Sequence, residues 1–420
     1  MTFKRKYAML LLLGFCSASV YLLVYIRYYY YDAWLAALDV SNTKAGLLYS
    51  TYALGCTLSY LPGGLLADRL SLKKNFIVAL ILTAGLNFLF AFSQNYYLAV
   101  FIWFSLALTT GFIFWAGLVK AVRLNGSPDE QGKMFGFWIS FEGLCSSVIL
   151  AIALWVFSRL GEGGVGLRGA VVVQGCFCLL AALMVWLFFL DPPRQDTTAD
   201  HDECFRLSAL WPILKDSKVW LVAVVIFCTY NLFNSLSYMT PYLTAAFGLS
   251  ETSSGQLALI RIQFCAFLLG PFGGIVADKL RSPAKLIFGG HLVMIVFLTM
   301  LIWLPVTSGT SFMAIAVTFL MSATIYTFYP IMYAVVEEMG FLRMITGTVV
   351  GVVTAVGYSP DLFFSPVYGL LLDNYGVGGY KYLFMIMVAN SLVGSLAAMM
   401  IFRRSRSRRP ASLSDPELIG

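Results

Sequence analysis

Four ionisable side chains stand inside long apolar runs: Arg27, Glu142, Arg261 and Asp361. A charge at the centre of a lipid bilayer costs about 2.5–3.5 kcal/mol on insertion scales, so such residues mark binding, pairing or proton transfer. Arg27 lies in Tyr25-Ile26-Arg27-Tyr28-Tyr29-Tyr30-Tyr31. A guanidinium among phenols suits an anion, gripped by a planar fork and flanked by hydroxyls such as that of Tyr31. The bland alternative is an arginine snorkelling to an aromatic interface belt. At ~1.5 Å per residue, Arg261 sits roughly 25 Å above Asp278, and Asp361 roughly 24 Å along its own run. The two share a level, which predicts an Arg261–Asp361 ion pair. Glu142 is expected only about 13 Å up, nearer Lys120 and Arg123.

Polar faces accompany these charges. Asn231, Asn234, Ser235 and Tyr238 recur at i, i+3, i+4 and i+7, and Tyr326, Tyr329 and Tyr333 share a helical face beside Pro330. Tyrosine stripes serve packing more often than binding, yet their hydroxyls suit a wet path. In Gly357-Tyr358-Ser359-Pro360-Asp361, the proline predicts a bend, and Asp361 can be a structural partner or a proton site. His201 falls in the central loop, and His291 is expected at an interface. Seven of the eight cysteines lie in apolar segments without CxxC spacing, so neither disulfides nor a metal are implied. There is no Ser/His/Asp set and no nucleotide-binding loop. The expectation is a protein that is not an enzyme, needs no cofactor and is not driven by ATP.

The elements that must position these residues follow from composition. Of 420 residues 60% are hydrophobic and 12% charged, and the mean hydropathy is +0.81. That is far from a soluble domain, with roughly half apolar and a quarter charged. Twelve runs are long enough to cross hydrocarbon as helices, near 7–31, 43–67, 75–93, 97–122, 134–158, 167–190, 218–244, 252–277, 285–305, 310–336, 345–372 and 378–402. They are continuous rather than alternating, which favours helices over barrel strands. The first follows Lys4-Arg5-Lys6 but is too long for a signal peptide and has no small-residue cleavage site, so it reads as a retained helix. Most of the 28 Lys and Arg fall on the side of the two termini and the central loop, while Lys44, Arg159, Arg168 and Lys381 fall opposite. Both termini are therefore expected in the cytoplasm, in an inner membrane. The +7 net charge is a product of this bias and implies no nucleic-acid partner.

The chain divides into residues 1–190 and 218–402, six runs each, with a polar linker at 191–217 and a basic tail at 403–420. Segment 207–215 reads as a short amphipathic helix on the membrane surface. One phrase occurs in both halves: Gly63-Gly64-Leu65-Leu66-Ala67-Asp68-Arg69, and Gly273-Gly274-Ile275-Val276-Ala277-Asp278-Lys279. Repeats of six helices are related by an axis along the membrane normal.

This doubled six-helix pattern resembles the Major Facilitator Superfamily along essentially the whole chain. The family motif Gly-x-x-x-Asp-Arg stands here as Gly64 to Asp68-Arg69, and more weakly as Gly274 to Asp278-Lys279; both copies lack the family's glycine before the following basic pair. The resemblance implies an all-α fold of two pseudo-symmetric bundles. It implies that helices 3, 6, 9 and 12 face lipid, and that Asp68 and Asp278 latch the cytoplasmic side against helix 11 near Gly347 and helix 5 near Gly136. A Tyr-rich first helix with an arginine is also similar to the organophosphate:phosphate antiporter branch. There a helix-7 arginine completes the grip; here helix 7 has none, and Arg261 is the candidate substitute.

The expected function is a monomeric secondary transporter of a small organic anion, a sugar phosphate, carboxylate or sulfonate, by alternating access. Arg27, Tyr31, Asn231, Asn234, Tyr238, Arg261, Tyr326 and Tyr329 are its candidate binding residues. Glu142, Asp361 and Lys120 are candidates for coupling, with protons as possible partners. The alternatives are a proton-linked carrier of a neutral solute, a drug exporter, or a transporter-like sensor.

Overall fold

The apolar runs fold as helices because a spanning segment must satisfy its own backbone in lipid. A computed structural model describes residues 3–69, 71–126, 131–191, 214–341 and 343–406. Within these, the side chains of 3–4, 60–69, 116, 131–133, 270–271, 343–348 and 406 are not described. The expected surface helix at 207–215, but for its last two residues, His201 and the tail beyond 406 thus lie outside the described residues, and Gly64, Asp68, Arg69 and Gly347 outside the described side chains.

The described residues form twelve helical rods. Helix α1 spans Phe3–Tyr21, breaks, and resumes at Tyr31–Leu38; α2 is Asn42–Arg69 and α3 Leu72–Phe92. Helix α4 runs Tyr96–Ala107 and Ala116–Leu124 around a π-helical stretch Leu108–Trp115. Helix α5 is Gln131–Arg159 and α6 Gly163–Phe188. Helix α7 joins Ser217–Ser235 to Met239–Phe247 through a 3-10 turn. Helix α8 joins Glu251–Leu259 to Cys265–Leu280 through a π-helical stretch Ile260–Phe264. Helix α9 is Pro283–Trp303; α10 is Ser311–Phe328 and Ala334–Glu338; α11 is Arg343–Gly357 and Pro360–Tyr375; α12 is Gly379–Arg406. Side-chain caps start several of them: Ser71 accepts from Lys74 N, Asn95 from Tyr97 N and Leu98 N, and Ser282 from Lys285 N.

Six rods are interrupted, and the causes differ. Pro360 has no N–H and disfavours helix at the residue before it, so α11 breaks at Tyr358-Ser359 as expected. Pro330 sits in the short turn Tyr329–Ile331 of α10. The break in α1 corrects the expected continuous run at 7–31. Its backbone groups are repaired locally by Tyr25 N to Tyr21 O, Tyr28 N to Tyr25 O and Tyr30 N to Ile26 O.

Within each half the rods pack closely, α1 on α5 and α3 on α6 in the first, α9 on α12 and α7 on α12 in the second. Exposed apolar side chains such as Leu183, Trp186 and Phe188 on α6, and Val296 and Trp303 on α9, form the surface that lipid would cover. The halves meet along α2 against α11 and α5 against α8. Gly46 and Gly369 allow the first of these approaches. A Cβ on Gly46 would lie 2.4 Å from Ser365 O, and one on Gly369 2.3 Å from Asn42 O.

Candidate functional site

The break in α1 delivers Arg27 to the seam between the halves, where it is 2% exposed. Its Cζ lies 3.4 Å from the centroid of the Tyr49 ring of α2. Its Nη1 donates to Ser365 Oγ of α11 at 2.9 Å, and its Nη2 donates to Asn234 Oδ1 of α7. Tyr28 OH donates to the same Asn234 oxygen at 3.0 Å. Every partner is neutral, and Arg27 Nε has no hydrogen-bond partner among the described residues. A buried guanidinium is stabilised here by phenol faces and amide dipoles. This corrects the snorkelling alternative.

Asp361, 5% exposed, stands one turn from Ser365 on α11. Its Oδ2 accepts from Tyr230 OH at 2.5 Å, while Oδ1 has no partner among the described residues. The cation whose charge acts on it is Arg27. Aromatic rings wall this region: Tyr230 lies 4.3 Å from Tyr358, and Phe233 stacks on Tyr329 at 4.0 Å with Tyr326 edge-on at 5.8 Å.

The expected Arg261–Asp361 ion pair does not form. Arg261, 2% exposed, lies in the π-helical stretch of α8, which changes the azimuth of everything near it. Its Nη2 donates to Leu236 O at 3.3 Å and Thr240 Oγ1 at 3.2 Å. Leu236 is in the 3-10 turn of α7, where an irregular backbone offers a carbonyl. Thr240 Oγ1 in turn donates to Tyr28 O at 2.8 Å, so Arg261 is tied through one hydroxyl to the backbone beside Arg27. Gln263 Nε2 donates to Tyr29 OH at 3.1 Å nearby.

Of the other expected residues, Tyr238 OH donates to Ser365 O at 3.1 Å, beside Arg27. Asn231 turns away: its Nδ2 donates to Tyr368 OH at 3.3 Å and Asn390 Oδ1 at 3.2 Å, inside the second half. The face of α7 that meets the seam is therefore Tyr230, Asn234 and Tyr238, at i, i+4 and i+8. Tyr31 OH donates to Asn42 Oδ1 at 2.9 Å, near the end of the seam. Glu142 faces the Ser17 hydroxyl of α1, which also accepts from Trp138 Nε1 at 3.1 Å. Lys120 is half-buried in the last segment of α4. His291 is a correction: it is fully buried in α9, with Nε2 3.3 Å from Thr229 Oγ1, and not at an interface. Residues the sequence reading passed over are Tyr49, Tyr230, Ser365 and Asp373. Ser365 is i+4 from Asp361 and Tyr230 i−4 from Asn234, a spacing that was available.

The seam is fastened at the face opposite the chain termini. Asp373, in the last turn of α11, accepts from Asn42 N at 2.9 Å, Asn42 Nδ2 at 2.8 Å, Thr43 N at 2.9 Å and Thr43 Oγ1 at 2.6 Å. It caps the first turn of α2 from the other half. Glu162, just beyond α5, accepts from Thr252 N of α8 at 3.3 Å, and Glu251 from Gly163 N at 3.2 Å. Thr244 Oγ1 donates to Asp32 at 2.5 Å. Toward the termini the seam differs. Asp278 and Lys279 are exposed, and a Cβ at Gly136 or Gly274 would meet nothing within 4 Å. Among the described residues no hydrogen bond or ion pair joins Asp278 to α5 near Gly136.

Known proteins share this architecture. The family model described as Major Facilitator Superfamily matches residues 8–360. The chain is 28% identical over 369 residues to Inner membrane protein YqcE of Escherichia coli (strain K12), covering 87% of each. It is 24% identical to Probable sulfoacetate transporter SauU of Cupriavidus necator, over 87% of this chain and 86% of that protein. A crystal structure of a bacterial homologue of the human lysosomal transporter Spinster, inward-facing and unoccupied, superposes with a TM-score of 0.71 over 97% of this chain and 98% of that one. At 17% identity this is a likeness of fold.

Proposed function

The chain belongs to the Major Facilitator Superfamily of membrane transporters, and on that premise we propose that it moves a small organic anion by alternating access. One observation carries the reading: a buried arginine at the junction of both halves, held by neutral groups, with its Nε unpartnered among the described residues. Burial of an arginine without a bonded carboxylate is costly, and an anion that completes the fork offsets that cost with charge-assisted hydrogen bonds. Arg261 adds positive potential one hydroxyl away. Tyr238, Tyr326 and Tyr329 supply the surrounding phenols. The resemblance to a probable sulfoacetate transporter supports an anionic cargo.

The moving bodies are residues 1–190 and 218–402, in an inner membrane with both termini cytoplasmic. The fastened face is then the outer one. Asp361 and Glu142 are the groups that can carry a proton or gate the path, in symport or exchange.

Uptake into vesicles containing the purified protein tests the reading. Arg27→Ala lowers uptake of the transported anion by about tenfold to hundredfold, the scale of a lost charge-assisted bond. Arg27→Lys restores only part of it, because a lysine keeps the charge but not the fork. Unchanged uptake by Arg27→Ala overturns the assignment.

A further inference from the structure

Resting on the anion reading, we propose that the cargo is an anion bearing its own hydrogen-bond donor, a hydroxyl or an amine, and that Asp361 selects for that donor. The observation is a two-rung ladder between α7 and α11. On one rung, Arg27 donates to Asn234 and Ser365. On the next, one turn away along each helix, Tyr230 donates to Asp361. Asn234 and Tyr230 are four residues apart on α7, and Ser365 and Asp361 four apart on α11, so the rungs stand ~5–6 Å apart.

Opposite charges occupy adjacent rungs without bonding each other. Each ends in a group without a partner among the described residues: Arg27 Nε, a donor, and Asp361 Oδ1, an acceptor. A buried donor or acceptor left unmade is penalised more than a made bond is rewarded. A ligand with an anionic head at Arg27 and a donor one helical turn along satisfies both groups at once. An anion without the donor satisfies Arg27 and leaves the Asp361 oxygen bare, so it binds more weakly. Discrimination by an unpaired buried group is the strong kind of specificity. Were Asp361 solely a proton carrier, it would be indifferent to a donor on the cargo.

Matched probes test this on the purified full-length protein by thermal-shift titration or calorimetry. They are 3-hydroxypropane-1-sulfonate and 3-aminopropane-1-sulfonate against propane-1-sulfonate, and glycerol 1-phosphate against propyl phosphate. The expected result is at least about tenfold tighter binding of a donor-bearing member, with all binding lost in Arg27→Ala. Asp361→Ala brings the members of each pair to within about twofold of each other while Arg27-dependent binding persists. Equal affinity within each pair for the wild-type chain, with both members still requiring Arg27, overturns the selection by Asp361 and leaves the anion reading standing. Undiminished discrimination in Asp361→Ala overturns it too. Failure of every probe to bind overturns the anion reading and this inference with it. The wild-type comparison needs no variant to fold.

Discussion

The two ends of the seam use the same chemistry on different partners. At the face opposite the termini, carboxylates cap helix starts across the halves: Asp373 on α2, with Glu162 and Glu251 exchanged between the α5–α6 corner and α8. At the face of the termini, carboxylates cap helix starts within a half. Asp191 accepts from Ser71 Oγ and Lys73 N at the start of α3, and Glu338 from Ser282 Oγ and Ala284 N at the start of α9. A cap is worth about 0.5–2 kcal/mol in either place. Inside one half it adds to the stability of a body. Across halves, under the proposed alternating access, it serves as a lock, weak enough to be undone by a ligand with differential affinity for the two arrangements.

Several substitutions sharpen or break this contrast. The largest effect is expected from Gly369→Leu, whose side chain meets the α2 backbone where Asn42 O would be 2.3 Å from the new Cβ. The fastened face cannot close around it, and uptake falls by roughly tenfold or more through overpacking. Asp373→Ala removes four bonds from the α2 start. The population open at that face then rises by roughly twofold to thirtyfold, the range of a lost cap, read as faster thiol labelling of a cysteine placed at Lys44. Glu162→Gln, which touches a single long bond, changes that labelling by about twofold or less. Asp191→Ala is the converse control. It costs about 0.5–2 kcal/mol of stability, seen as a lower melting temperature, and leaves the labelling unchanged. An equal effect of Asp191→Ala and Asp373→Ala on labelling would erase the distinction between lock and internal cap.

Residue counting did not show which side chains meet: Arg261 reaches α7 at Leu236 and Thr240, and Asp361 reaches it at Tyr230. Counting residues places Arg261 and Asp361 at one level, but the π-helical stretch at Ile260–Phe264 rotates Arg261 toward the α7 turn, and no residue type there announces it. Proline announces the break before Asp361. Nothing in Tyr25-Ile26-Arg27 forbids a helix, so the break that positions Arg27 is a tertiary outcome, offset by its bonds to Asn234 and Ser365. On α7 a stripe was visible, yet α-helical spacing admits two registers. The expected one included Asn231, which bonds inside the second half; the observed one brings in Tyr230. Twelve spans, the repeat and the family could be read because lipid imposes length and apolarity on each segment independently of its neighbours. The lock at Asp373 was invisible because an acidic residue at a helix end is ordinary until its partner is known.

The central claim is that an anion held at Arg27 alters the balance between the two faces. Spin labels at Lys44→Cys and Tyr375→Cys, both exposed and flanking the Asp373 lock, measure it by pulsed dipolar spectroscopy in lipid discs. Saturating glycerol 1-phosphate or 3-hydroxypropane-1-sulfonate is predicted to redistribute the label distances in the otherwise wild-type chain and to leave Arg27→Ala unmoved. The same redistribution in Arg27→Ala would contradict the account.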